Sequence, residues 1–359
     1  MILAPVRDQM SLQRASPAMT DALVLVTGGA GYIGSHTCLC LQNAGYQVLI
    51  IDDLSNSHHA VVGAIGGLSG QMPLFEQADI RDAKAMTDIV QRYRPCAAIH
   101  FAGVKSVAES TRDPRKYYEV NLGGTLALLG ALASIGSPRV VFSSSATVYG
   151  DPDALPLKEA HPLRPRNAYG RSKMMVELVL ADLCAADAQA SAVALRYFNP
   201  AGAHETGTLG ENPRGAPENL MPYLAQVATG AIAQVTIFGD DYPTHDGTGV
   251  RDYVHVMDLA EAHVAALGLA LAEPGMHIAN IGTGVGVSVL ELIQAYAQSC
   301  GHALPQLVAA RRAGDVAVSY ADPSAAHTML GWRAHRDLKQ MCDDAHRYAR
   351  HCAGHVAVS

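Results

Sequence analysis

The chain has 359 residues, 49% of them hydrophobic and 16% charged, with a mean hydropathy of +0.10. That is material for about two domains and excludes a disordered or collagen-like chain. It contains no apolar run of about 18 residues, the length of a membrane span, and a net charge of −7 argues against nucleic acid or an anionic membrane as the main partner.

Met1–Thr20 lacks the apolar core of a signal peptide and is expected to be a flexible extension. The seven cysteines form no CxxC pair and no zinc-spaced set, which suggests free thiols in a reducing, cytoplasmic setting. From Leu23 the chain alternates. Apolar runs at Leu23–Val26, Val48–Ile51, Phe75–Ala78, Ala97–Phe101, Val140–Phe142 and Ala192–Leu195 are predicted strands. Ser35–Ala44, Ala83–Tyr93, Tyr117–Ser134 and Ala168–Ala186 are predicted helices between them. Strands without polar alternation, separated by helices, predict an α/β fold with a doubly wound parallel sheet covered on both faces. Beyond Asn199 the rhythm loosens into long loops at 201–218 and 239–248. The expected division is therefore a dinucleotide-binding domain over 21–196, rejoined by 254–282, and a smaller α/β substrate domain over 197–350.

Gly28-Gly29-Ala30-Gly31-Tyr32-Ile33-Gly34 follows the first strand and opens a helix, the setting in which a glycine fingerprint binds a dinucleotide pyrophosphate. Roughly twenty residues on, the second strand ends in Asp52-Asp53. Carboxylates there bond a ribose 2′-hydroxyl and repel a 2′-phosphate, favouring NAD over NADP. Asp79 and the His100-Phe101-Ala102-Gly103 segment end two further strands at the same crevice. Asp79 serves equally well as a helix cap.

Tyr169 and Lys173 stand four residues apart on one predicted helix. A neighbouring ammonium is expected to lower the phenol pKa and make Tyr169 a usable acid–base group. The Ser143-Ser144-Ser145 run, at the end of a strand, supplies a hydroxyl for the same substrate oxygen.

GGAGYIGSH, HFAG, SSSATVYG, YGRSK, RYFNPAGAH, NLMPY, DGTGVRDYVHVMDLA and RRAGD together resemble the extended short-chain dehydrogenase/reductase family, from about Leu23 to about Trp332. The longer motifs resemble the members that interconvert UDP-galactose and UDP-glucose on a retained NAD+. The resemblance implies Tyr169 as acid–base, Ser145 as its partner on the sugar 4-oxygen, and Lys173 on the nicotinamide ribose. It adds Asn56, Ile80, Lys105, Asn121 and Phe198 to the cofactor positions. Asn199, Asn219, Leu220, Arg251 and Arg312 are implied to contact the diphosphate and nucleotide. Phe238 and Tyr253 would border the uracil and ribose, and Asp315 would take ribose hydroxyls; Lys105 also faces substrate. Ser319 stands where glucose-restricted members carry Tyr, which suggests room for UDP-N-acetylhexosamines. Related dehydratases place Asp-Glu where this chain has Ala146-Thr147, which leaves an elimination without its acid and base. A homodimer through the Tyr117–Ser134 and Ala168–Ala186 helices is expected by the same resemblance. No metal is implied, and His255 and the His58-His59 doublet have no assigned chemistry.

Overall fold

In the computed structural model, which describes residues 22–215, 217, 219–312 and 315–356, strands and helices alternate from Leu23 onward. The expected extension Met1–Thr20 lies outside the described residues. Strands β1 (Leu23–Thr27), β2 (Gln47–Asp52), β3 (Leu74–Gln77), β4 (Ala97–His100), β5 (Arg139–Ser145) and β6 (Ser191–Tyr197) come first. The helices among them are α1 (Tyr32–Asn43), α2 (Ala60–Ser69), α3 (Ala83–Tyr93), α4 (Val107–Arg112), α5 (Pro114–Tyr117), α6 (Gly124–Ala133) and α7 (Ala168–Ala186). Next come β7 (Asn199–Ala201), α8 (Leu220–Ala228), β8 (Val235–Phe238), β9 (Val250–His255), α9 (Val256–Ala272) and β10 (Gly275–Ile281). The chain ends through β11 (Gly286–Ser288), α10 (Val289–Cys300), β12 (Gln306–Ala309), β13 (Val318–Ser319), α11 (Ser324–Leu330) and α12 (Leu338–Val356).

Seven strands form one parallel sheet in the order β10-β6-β5-β4-β1-β2-β3. Alternate residues of the same strands feed two separate cores. Val24, Val26, Ile50, Ile99 and Val193 pack on one face with α1 and α9, while Leu25, Leu49, Ile51, Ala98 and Phe142 pack on the other with α3, α6 and α7. Both faces are thus apolar, which is why these strands read as continuous hydrophobic runs. The order reverses between β1 and β4, and ligands in such sheets lie beyond the strand ends at that point.

A third core, including Leu224, Ile237, Leu292, Tyr296 and Met341, holds α8, α10 and α12 against the shorter strands. Within it β9 is central: β7 and β13 pair parallel to it and β11 antiparallel. Meanwhile α9 packs on the first sheet, and β10 pairs with β6 from Gly275↔Ser191 to Ile281↔Tyr197.

The Tyr117–Ser134 segment is not one α-helix. Tyr118–Gly123 is a π-helical turn leading into α6. Asn121 sits in that turn and bonds outward, to the Val104 backbone and to Ser172, while Gly124 lets Ile80 approach where a Cβ would stand 2.4 Å from it. Such turns re-aim a side chain at a functional site. Helix α2 was not expected because three glycines dilute its helical propensity.

Candidate active site

The glycine loop is shaped by contact. Gly28 has φ +70°, and a Cβ on it would lie 2.7 Å from the Ala102 nitrogen. At Gly34 a Cβ would meet the Gly28 oxygen at 2.2 Å. Helix α1 then begins after Gly31 with no side-chain cap, so its first-turn N–H groups are left for an anion. A pyrophosphate fits this cradle. Ile33 packs toward the core, and the Tyr32 hydroxyl donates to the Gly202 carbonyl at 2.7 Å.

The two carboxylates ending β2 differ. Asp52 is buried and accepts from the Ala30 N–H (3.0 Å), the Leu54 N–H (2.9 Å) and the Ser57 hydroxyl (2.8 Å), so it holds the glycine loop. Asp53 is exposed and accepts from Ser55. Asn56 accepts from the Arg214 N–H at 3.1 Å. Asp79 is paired with Arg81, whose hydrogen bond holds its carboxyl below the usual range. Ile80 is buried against Gly124. After β4, Phe101 and Ala102 donate backbone N–H groups to the Thr27 carbonyl, the Phe101 ring packs against His263, and Gly103 abuts the Asn121 amide. Lys105 is ion-paired with Glu211 at 3.0 Å.

Ser145 ends β5 and caps a short helical turn, its hydroxyl oxygen accepting from the Thr147 N–H and hydroxyl. Asn167 caps α7 and thereby fixes the turn that carries Tyr169. One turn on, the Lys173 ammonium donates to the Ser143 carbonyl at 2.7 Å and lies 5.9 Å from the Tyr169 ring centre. Both side chains are buried. Burial pulls the Lys173 pKa down to about 8, against the attraction of Glu177. Burial also raises the Tyr169 phenol, while the Ser145 hydroxyl and then the Lys105 charge pull it down. The opposing groups are Ser145 and Lys105, and desolvation outweighs them.

The other expected residues fall in two groups. Asn199 pairs with Tyr253 across β7 and β9, and Ser319 pairs with Arg251 across β13 and β9. One small sheet thus assembles all four. The Arg312 guanidinium lies 3.8 Å over the Phe238 ring, and the Asp315 N–H donates to the Arg312 carbonyl. Asn219 stands at the N-terminus of α8 and donates its amide to Glu211, with Leu220 next to it against the third core. Tyr253 is buried in that core, and desolvation pushes its phenol up to about 12. Phe198 is buried with Val148, Tyr149 and Leu157.

Sequence reasoning missed Glu177, Arg196, Glu211 and Arg214. Glu177 carried a signal, its position one helical turn beyond Lys173; the loop residues Glu211 and Arg214 carried none.

The model of the NAD dependent epimerase/dehydratase family matches residues 24–282. UDP-glucose 4-epimerase of Bacillus subtilis is 50% identical over 325 residues, covering 90% of this chain and 96% of the relative. The Homo sapiens protein of the same name is 50% identical over 337 residues, with 91% and 96% covered. The crystal structure of UDP-glucose-4-epimerase from Stenotrophomonas maltophila, with bound NAD and formylated UDP-arabinopyranose, superposes with a TM-score of 0.91 at 50% identity, covering 93% of this chain and 99% of that one. That of Bifidobacterium longum with NAD+ and UDP gives 0.89 at 44% identity, covering 92% and 98%. The chain belongs to the NAD-dependent epimerase/dehydratase family.

Proposed function

We propose that this protein is an NAD-dependent isomerase that interconverts UDP-galactose and UDP-glucose by inverting carbon 4. The observation that carries the reading is Ser145, Tyr169 and Lys173 gathered at the carboxyl edge of a sheet whose glycine loop opens an uncapped helix. The activity of relatives about half identical over most of their length supports it.

Bound NAD+ supplies a reversible hydride acceptor at carbon 4. The Gly28–Gly34 loop and α1 would hold its pyrophosphate, and Asp53 with the Asp52-braced turn would receive the adenosine ribose. Tyr169 removes the proton of the sugar 4-hydroxyl and later returns one, and Ser145 bonds the same oxygen. Lys173 supplies the positive charge beneath. Arg251 and Arg312 suit the diphosphate, because guanidinium forks match its oxygens. A firm grip on the nucleotide with a loose one on the sugar lets the 4-keto intermediate present its other face. We assign cofactor binding to 21–196 with 254–282, and sugar-nucleotide binding to 197–350.

Finer points rest on single features. Ser319, half-buried beside Arg251, supports acceptance of UDP-N-acetylhexosamines. Leu126 of α6 and Leu178 of α7, 50% and 57% exposed, support a homodimer through those helices. The seven free cysteines support a cytoplasmic location.

The test is to incubate purified protein with UDP-galactose, adding no cofactor, and to separate the products. UDP-glucose without accumulated NADH is expected. NADH release on supplied NAD+, with no product otherwise, would move the assignment to a dehydrogenase; a dehydrated 4-keto sugar would move it to a dehydratase.

A further inference from the structure

Beneath the reactive residues lies a buried ion pair that the chemistry above does not use. Arg196 of β6 and Glu177 of α7 are 3% and 4% exposed, and their closest N–O distance is 2.6 Å. The guanidinium meets both carboxylate oxygens, through Nε at 3.0 and 3.2 Å and through its terminal nitrogen. The Ser144 hydroxyl donates to the same carboxylate at 2.5 Å. Arg196 cannot lose its proton, and its guanidinium and the Ser144 hydroxyl together give the carboxylate four hydrogen bonds.

Its placement matters. Glu177 is one helical turn beyond Lys173, as Lys173 is beyond Tyr169. Ser144 lies between Ser143, whose carbonyl takes the Lys173 ammonium, and Ser145, whose hydroxyl meets Tyr169. The register pairs Ser144 with Arg196 and Ser145 with Tyr197. Glu177 therefore ties the helix bearing Tyr169 and Lys173 to the strand end bearing the two serine contacts.

We propose that Glu177 is a positioning residue for the acid–base chemistry: held by Arg196 and Ser144, its carboxylate keeps Lys173 in the ammonium form and fixes the strand end on which Lys173 and Ser145 depend. This rests on the reading of Tyr169 and Lys173 as the acid–base pair. The surroundings of Lys173 leave Glu177 the counter-charge. From β4 it faces His100, held neutral by burial; from β5, the Ser143 carbonyl and the Phe142 ring, 4.8 Å from the ammonium; from α7, the Tyr169 ring. The Glu177 field is the one that opposes the desolvation of Lys173.

The experiment is the pH profile of kcat for the holoenzyme and for Glu177→Gln, an isosteric change that keeps an acceptor for Ser144. The parent should lose kcat as pH rises through about 8, where the Lys173 ammonium deprotonates. In Glu177→Gln this alkaline limb should move toward neutral pH by about one unit, with KM within about twofold. Removing one partner of a buried pair can prevent folding. Glu177→Gln combined with Arg196→Gln removes both charges of one ion pair and should displace the limb in the same direction but by less. A limb unmoved in whichever variant folds overturns the proposal. Lys173→Met separates the two ideas. If the parental alkaline limb persists in it, the acid–base reading fails; if that limb is lost there but unmoved in the Glu177 variants, only the role of Glu177 fails.

Discussion

Lys105, on the loop after β4, and Glu211, on the loop between β7 and α8, form an ion pair of 3.0 Å that joins the two loops. Glu211 also accepts the Asn219 amide at 2.9 Å, so one carboxylate joins an expected cofactor residue to an expected nucleotide residue. The same loop is tied down twice more. The Tyr32 hydroxyl bonds the Gly202 carbonyl, and Arg214 bonds Asn56 through its N–H and the Ser57 carbonyl through Nε at 3.0 Å. Ser57 in turn bonds Asp52, which holds the glycine loop.

This chain of contacts makes Arg214 a clasp on the adenosine end of the crevice. Replacing it by Ala removes one charge-assisted bond and should speed exchange of bound NAD+ for labelled NAD+ about tenfold. Turnover at saturating NAD+ should be unchanged, and Arg214→Lys should fall between. Exchange as slow as in the parent would show that the clasp contributes nothing to retention.

Tyr169→Phe keeps the buried ring and removes only the hydroxyl. Turnover of UDP-galactose should drop about 10²- to 10⁴-fold, the usual worth of a positioned acid–base group. The NAD content of the purified variant should match the parent. Near-parental turnover would remove Tyr169 from the proton transfer.

The first sheet and the placing of Tyr169 and Lys173 on one helix were legible because their signals are local. Helices α3 and α7 run over Ala83–Tyr93 and Ala168–Ala186 as read from the pattern, and the Tyr169–Lys173 spacing fixes their shared face. What the pattern could not carry was set by contacts between distant segments. The π-helical turn at Tyr118–Gly123 exists because Asn121 is drawn to Val104 and Ser172. The balance at Tyr169 depends on burial and on Lys105, which is 64 residues away in the chain (169 minus 105). Glu211 lies in a loop with no periodicity to place it.

Ser319 gives a test of sugar selectivity. It pairs with Arg251 in β13 and β9, so a larger side chain there projects beside a proposed diphosphate contact. Ser319→Tyr should cut kcat/KM for UDP-N-acetylglucosamine about tenfold or more relative to UDP-galactose. Failure of the parent to turn over either N-acetyl sugar would sink the wider specificity outright.

Three buried histidines set an acid limit on stability. Burial lowers His36 and His263 to about 4 and His100 to about 3. Burial is the cause in each: the His36 and His263 Nδ1 atoms meet the Tyr32 and Leu259 carbonyls, which favours the proton, but their buried Nε2 atoms find no acceptor, and His100 bridges Thr27 and Thr125 in a buried pocket. Unfolded, all three protonate near pH 6.5. Below that value the unfolded chain binds up to three protons that the native state refuses, so stability falls as pH falls, by about 1.4 kcal/mol per pH unit for each ring. The contribution is complete above pH 6.5 and is lost toward pH 4 and then 3. Carboxylates held below their ordinary value, such as Asp79 and Glu109, enter only below about pH 4.5 and leave the window from 6.5 to 5 to the histidines. Urea midpoints at pH 7.5 and 5 should therefore differ strongly, and His263→Leu should reduce the difference. Equal midpoints at the two pH values would show that these rings are already protonated in the fold or already neutral outside it.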